Sequence, residues 1–278
     1  MAKKTKEILI VLSEYGFWGE ELIGPLETFD KAGYKSTFAT PRGKRPVALP
    51  PSMDAKYIDP PLGRSVTSEA VAAKVRAIDK SPRLDNPMSI AKFMPEMPYF
   101  SSASLVRDLE AYYKARDKAK SEVLSKFDAM LIVGGSGPIV DLANNQRVHD
   151  MILAFREMDR PVGAECYGVA CLAFARELEN RKSILWGKHV TGHCKEYDYH
   201  DGTGFMGTDF NMGPPPYPLE YILRDATGPD GAYIGNFGKE TSVIVDWPFV
   251  TGRSTPDSYL TGQKMVEMLE EGLRRYGW

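Results

Sequence analysis

Glu7-Ile-Leu-Ile-Val-Leu-Ser13 is a short β-rich run without polar alternation, and Glu20 to Lys31 follows it with Leu22, Ile23, Leu26 and Phe29 at helical spacing before Ala32-Gly33. An unalternating run is expected of a strand covered on both faces, so the pair reads as β then α. The same order recurs outward from it. Lys35 to Thr40 and Asp128 to Val133 read as strands, the latter near-continuously apolar before Gly134-Gly135. Arg147 to Met158 reads as a helix, Pro161 to Cys166 as a strand, and a further helix starts at Gly168. Ser242 to Thr251 is hairpin-like, and a last helix spans about Pro256 to Arg275 with Ser254 or Thr255 as its cap. This alternation predicts an α/β fold with a mostly parallel central sheet and helices on both faces.

Two stretches interrupt the rhythm. Residues 41–126 are Pro-rich at first and then charged and helical from Ser104, and residues 197–218 are Gly-, Asp- and Pro-rich. The 278 residues therefore read as one domain, with 41–126 a helical insertion or cap and 197–218 a long loop. Those surplus residues are where a cap over the site or a subunit interface would be built. Hydrophobic content of 43% excludes wholesale disorder, and 35 basic against 37 acidic residues leave no basic field for nucleic acid. Three cysteines cannot all pair and no apolar run approaches a bilayer span, so a soluble, cytoplasmic protein with no membrane partner is expected.

Arg160-Pro-Val-Gly-Ala-Glu-Cys166-Tyr-Gly-Val-Ala-Cys-Leu-Ala-Phe174 carries the chemistry. A strand ending in a nucleophile, then a small-residue helix, puts Cys166 on a sharp turn where a helix N-terminus favours a thiolate. The plain alternative is a buried structural cysteine at a β–α junction. Cys171 and Cys194 read as bystanders. Gly134-Gly135-Ser136-Gly137 also follows a buried strand and either aims N–H groups into the cleft or is a glycine-rich loop; no phosphate-loop pattern is present. If Lys188 to His193 is a strand, His193 lies at its carboxyl end as a base for a cysteine on a neighbouring strand. His149 sits in a polar helical run and reads as solvated. Glu21, at the start of the first helix, is either a cap on the dipole or a protonated acid facing the thiolate. His193, Cys194, Glu196, Asp198, His200 and Asp201 match no standard ligand spacing, so no metal is expected, and no cofactor motif is found.

Together these segments resemble the ThiJ/PfpI superfamily from about Ile8 to Leu273, outside the insertions. The matching features are Glu21 four residues before Pro25, Gly134-Gly135 after a central strand, the elbow Cys166-Tyr-Gly168, Val190-Thr191-Gly192, and Thr251-Gly-Arg-Ser-Thr-Pro256. The resemblance implies a flavodoxin-like three-layer fold related to the class I glutamine amidotransferases. It implies Cys166 as nucleophile, Glu21 as its hydrogen-bonding acid, and the Gly135 and Tyr167 amides as oxyanion hole. His193 falls where the deglycase branch has a histidine. Protease and chaperone branches have His directly after the elbow cysteine, and here Tyr167 stands there. That moves the base role to His193, with Glu196 or Asp198 as possible orienters. Glu165 is unusual before the elbow and is either paired in the interior or part of the site. Trp18, Tyr167 and the 198–218 loop are candidate pocket walls.

The expected function is a cysteine-dependent hydrolase or hydratase adding its thiolate to an electrophilic carbon of a small amide, nitrile-like or carbonyl substrate. The alternatives are a glyoxalase III/deglycase-type enzyme acting on 2-oxoaldehydes and a non-catalytic stress chaperone or redox sensor. An amidotransferase-like subunit would need an ammonia-accepting partner domain. A homo-oligomer, most simply a dimer, is expected.

Overall fold

The computed structural model of the chain describes residues 5–98, 103–198 and 218–278, and within them the apolar runs are strands. The elements begin with β1 (Glu7–Val11), α1 (Gly19–Lys31) and β2 (Lys35–Thr40). Residues 41–126 hold α2 (Glu69–Asp79), β3 (Met88–Ser89), α3 (Ile90–Phe93) and α4 (Leu105–Glu122). Next come β4 (Ala129–Ile132), α5 (Gly137–Asp141), α6 (Gln146–Glu157), β5 (Val162–Glu165) and α7 (Ala170–Phe174). The remaining elements are β6 (His189–Val190), α8 (Leu219–Thr227), β7 (Ala232–Tyr233), β8 (Val243–Asp246), β9 (Phe249–Gly252), α9 (Ser258–Glu270) and β10 (Arg275–Tyr276).

Among the described residues, eight strands form one sheet in the order β10-β8-β9-β5-β4-β1-β2-β3. The strands from β9 to β3 in that order are mutually parallel, and β8 pairs antiparallel with β9 and with β10. The period of two sorts the side chains of β1: Leu9 and Val11 join a core with α6, α7 and α8, while Ile8 and Ile10 join one with α1, α2 and α9. This is the α/β flavodoxin-like sandwich expected. The chain leaves β1 toward β2 and returns to β4 on its other side, so the crevice above the carboxyl ends of β1 and β4 is a topological switch point.

Two corrections concern histidines. The expected strand from Lys188 to His193 is only His189–Val190, and it pairs with β7 in a separate two-stranded sheet. Past Val190 the Thr191 N–H donates to Thr251 Oγ1 (2.9 Å), a side chain, so ladder pairing stops there and His193 lies in a loop. His149 is buried, not solvated, with Nε2 2.7 Å from the Ala143 carbonyl; Asn144 is the exposed residue of that turn, and Asn145, Gln146 and Arg147 are half-buried.

The 41–126 stretch adds β3 to the sheet edge and fastens α4 to α6, with Tyr112 OH donating to Asp150 and Arg116 to Glu157. Most of the expected 197–218 loop, residues 199–217, lies outside the described residues. Arg253, 1% exposed, donates from Nη1 to the Gly235 and Asn236 carbonyls and from Nη2 to those of Lys239 and Glu240 (2.8–3.1 Å). Its guanidinium also lies 5.6 Å from the Tyr197 ring centre. No helix among the described residues is long and apolar enough to cross a membrane.

The helices α1 and α9 cross closely because each has a glycine at the contact. A Cβ on Gly24 would come within 2.7 Å of Ser258 backbone, and one on Gly262 within 2.7 Å of Pro25 Cα. Gly262→Val is expected to destabilise the fold by about 2 kcal/mol through overpacking, read as a lower urea midpoint with unchanged m-value. An unshifted midpoint would mean that the crossing has slack.

Candidate active site

Cys166 follows β5 directly and has φ +53°, the strained left-handed geometry of a nucleophile on a strand-to-helix elbow. Glycines make the elbow possible. A Cβ on Gly134 would collide with Glu165 O, Glu21 Oε2 and Cys166 Cβ, and one on Gly168 would lie 2.9 Å from Ile132 O. Gly135, at φ +91°, sits against the Trp18 backbone where Trp18 N–H donates to Gly134 O (3.1 Å). The backbone N–H groups of Gly135 and Tyr167 both point at the Cys166 sulfur.

His193 reaches the cysteine from the loop after β6, with Nδ1 3.5 Å from Sγ. Its other nitrogen, Nε2, is 3.1 Å from Asp198 Oδ1, at ion-pair distance but off the line a hydrogen bond requires. Tyr167 braces both partners. Its ring stacks on the imidazole at 4.1 Å and its OH donates to Asp198 Oδ1 (2.7 Å). The residue that replaces the elbow histidine thus supports the distant one. The structure brings Asp198 to His193, and not Glu196, which is exposed and away from the cavity.

Glu21 projects from the first turn of α1 and is 1% exposed, facing Cys166. Burial pushes its carboxyl up to about 8, against hydrogen bonds with Cys166 and Thr255 that pull it down. It is therefore largely a neutral acid below that pH and does not act as an exposed dipole cap. Burial pushes the Cys166 thiol well above its usual range, and an ionised Glu21 pushes it further, outweighing the Gly135 and Tyr167 N–H groups. The expected dipole-lowered thiolate is corrected on this point. Behind Cys166 stand one 3-10 turn and the five-residue α7, too short to sum a strong macrodipole. Cys171 and Cys194 are fully buried, and burial pushes Cys194 up to about 12.

A cavity of about 200 Å³ opens above the sulfur. Trp18, Glu21, Gly135, Cys166, Tyr167 and His193 line it, all read from the sequence as site residues. Glu165 does not; it lies beneath, in the interior. Sequence reasoning missed Ser254, Thr255 and Pro256, read only as a helix cap and a family turn, and a second wall from residues 41–126, the turn that carries Asp59 and Arg64. That turn is closed by Asp59 N–H to Arg64 O (3.0 Å) and Gly63 N–H to Asp59 O (2.7 Å). Burial raises the Asp59 carboxyl, against the Leu62 N–H, His193 and Arg64. Arg64 is exposed and forms no ion pair with an acid among the described residues. The signal for this turn was Asp59-Pro-Pro-Leu-Gly63-Arg64, turn chemistry inside a segment otherwise treated as surplus. Trp18 Nε1 is buried with no acceptor among the described residues.

Residues 12–186 match the sequence model of a family described as ThiJ/PfpI family-like. No curated protein matches the chain in sequence. Among solved structures, the 24 kDa rapid encystment protein of Francisella tularensis is 18% identical, covering 95% of this chain and 99% of that one, with a TM-score of 0.65. Glyoxalase III from Candida albicans is 17% identical (94% and 96% covered, TM-score 0.55). DJ-1beta from Drosophila melanogaster is 16% identical (96% and 91%, TM-score 0.53). Identities this low speak for the fold alone.

The folded Glu21 carboxyl keeps its proton to about pH 8, whereas the unfolded one ionises near 4.5. Between those values the folded state binds more protons, so wild-type stability falls as pH rises, by up to about 1.4 kcal/mol per unit. Glu21→Gln is therefore expected to gain stability over wild type from pH 4.5 upward, most at pH 8, in urea melts. A gap that stays constant with pH would show that the carboxyl is ionised in the fold.

Proposed function

The chain belongs to the ThiJ/PfpI-like family, and from that premise we propose that it is a cysteine-dependent enzyme, a hydrolase or hydratase acting on the electrophilic carbon of a small molecule. The observation that carries this reading is the line Cys166 Sγ, His193 Nδ1 (3.5 Å), His193 Nε2, Asp198 Oδ1 (3.1 Å). Nucleophile, base and orienter in series are the arrangement that activates a weak nucleophile. A thiol kept protonated by burial needs such a base at the moment of attack.

In this mechanism His193 Nδ1 takes the thiol proton as Sγ bonds to the substrate carbon. Charge that develops on the substrate heteroatom falls to the Gly135 and Tyr167 N–H groups. For an amide, the C–N bond then breaks, the leaving amine takes the proton from the imidazolium, and water hydrolyses the resulting thioester. For a nitrile-like group, the adduct is protonated and water releases the hydrated product. Neutral Glu21 donates a hydrogen bond toward the sulfur and adds no charge to repel it. Asp59 and Arg64 offer opposite charges, and Trp18 an unused N–H, to the polar part of a substrate no larger than the cavity admits.

Simple amides, isonitriles and methylglyoxal presented to the wild type, Cys166→Ser and His193→Ala test the reading. One substrate class should turn over, with losses of about 10³-fold or more for Cys166→Ser and about 10²–10⁴-fold for His193→Ala. Arg64→Ala should raise KM about tenfold and leave kcat in place, as loss of uniform binding does. Methylglyoxal as the turned-over class would select the glyoxalase alternative. Turnover that survives Cys166→Ser, or protection of unfolding clients without turnover, would sink the enzymatic reading.

A further inference from the structure

Glu165 is the last residue of β5 and is fully buried, immediately before the elbow cysteine. Its Oε1 lies 2.7 Å from Ser258 Oγ, and its Oε2 is buried with no hydrogen-bond partner among the described residues. No lysine, arginine or histidine forms an ion pair with it among those residues. Asp257, equally buried and one residue before Ser258, makes an instructive contrast. It accepts the backbone N–H groups of Ser242, Arg253 and Ser254 at 2.5–2.9 Å, which is how a buried carboxylate is usually held. Glu165 has one hydroxyl, and that hydroxyl has a single proton with two oxygens in reach, Glu165 Oε1 and the Thr255 carbonyl, each at 2.7 Å. Both short contacts are hydrogen bonds at once when Glu165 is protonated and donates to Ser258, which donates to Thr255.

We infer that Glu165 is a positioning residue for the Cys166 chemistry, a neutral carboxylic acid beneath the elbow whose retained proton leaves room for negative charge on the sulfur. The inference rests on Cys166 as the reactive thiol. The charged and titratable groups that face Glu165 are Glu20 and Glu21 from α1, Cys166 itself, and Asp257 after β9, which in turn has Arg253 beside it. Arg253 turns its guanidinium to four backbone carbonyls. Burial first, and Glu21 second, push the Glu165 carboxyl up, while an ionised Glu165 would in turn raise the thiol. Protonated Glu165 and Glu21 therefore keep the ground under Cys166 uncharged, and Asp257 carries the buried negative charge at neutral pH.

Glu165→Gln copies the neutral acid and keeps an N–H for Ser258. Iodoacetamide alkylation of Cys166, followed by mass spectrometry from about pH 6 to about pH 9, compares it with wild type. Expected are rates within about twofold of each other near pH 6 and a wild type that lags by about threefold or more once its Glu165 carboxyl, which burial raises well above the ordinary glutamate range, ionises. A roughly tenfold faster variant already near pH 6 would mean an ionised carboxyl there and overturn the neutral state. Profiles that coincide through the pH at which the wild-type Glu165 carboxyl ionises would reduce Glu165 to packing. Should the variant fail to fold, ¹³C-carboxyl NMR of glutamate-labelled wild type decides: the inference requires a glutamate other than Glu20 and Glu21, each identified by its glutamine variant, that is still protonated at pH 7. Neither readout needs turnover, so a failed substrate screen leaves both standing.

Discussion

Cys166 is held at φ +53°, a backbone state that costs a non-glycine residue about 1–3 kcal/mol, and the chain around it leaves no relaxed alternative. On one side β5 is clamped between β4 and β9; on the other, Gly134 and Gly168 bring backbone to where a methyl group would collide. The turn also fixes what lies above and below it. The sulfur rises into the cleft at the switch point, and the preceding residue, Glu165, is driven into the interior. A thiol at the floor of the cleft and an acid in the interior, next to each other in sequence, are two sides of one elbow.

Charge follows from that geometry. Four acids converge near the elbow, and the protein gives full backbone solvation to one of them, Asp257. Burial pushes Glu20 up to about 7 and Glu21 up to about 8, so at neutrality Glu21 largely holds its proton and Glu20 about half of it. The same desolvation keeps Cys166 a thiol in the resting protein. On the proposed reading, reactivity then depends on a base that arrives from outside the sheet, His193, whose imidazole lies against the Tyr167 ring and Asp198.

The strands were legible because a doubly covered strand writes itself as an apolar run. Lys35–Thr40 matches β2 at both ends, and the elbow is readable from Glu165-Cys166-Tyr-Gly168 alone. Local pattern fails where the partner is distant. Val190-Thr191 has the residues of a strand, yet Thr251 captures the next N–H and ends the ladder. His149 looked polar because its neighbours are, and whether a ring is covered depends on packing that no short window contains. The thiol was misjudged because a small-residue run signals a helix without giving its length, and α7 has five residues. Asp59 and Arg64 are not legible as site residues, since a turn so far ahead of the elbow in sequence carries no mark of what it will face.

Arg253 touches the 235–240 loop solely through main-chain oxygens, supplying from one side chain the donors that a neighbouring strand would otherwise provide. A contact of that kind is blind to side-chain identity. Lys239 and Glu240 can drift in evolution without loosening the loop, while the single arginine cannot, because lysine has no planar fork to reach four carbonyls. Sequence tolerance in this region is therefore concentrated: many positions are released by the fixity of one, and a relative recognised by its loop residues would be missed where one recognised by its arginine would not.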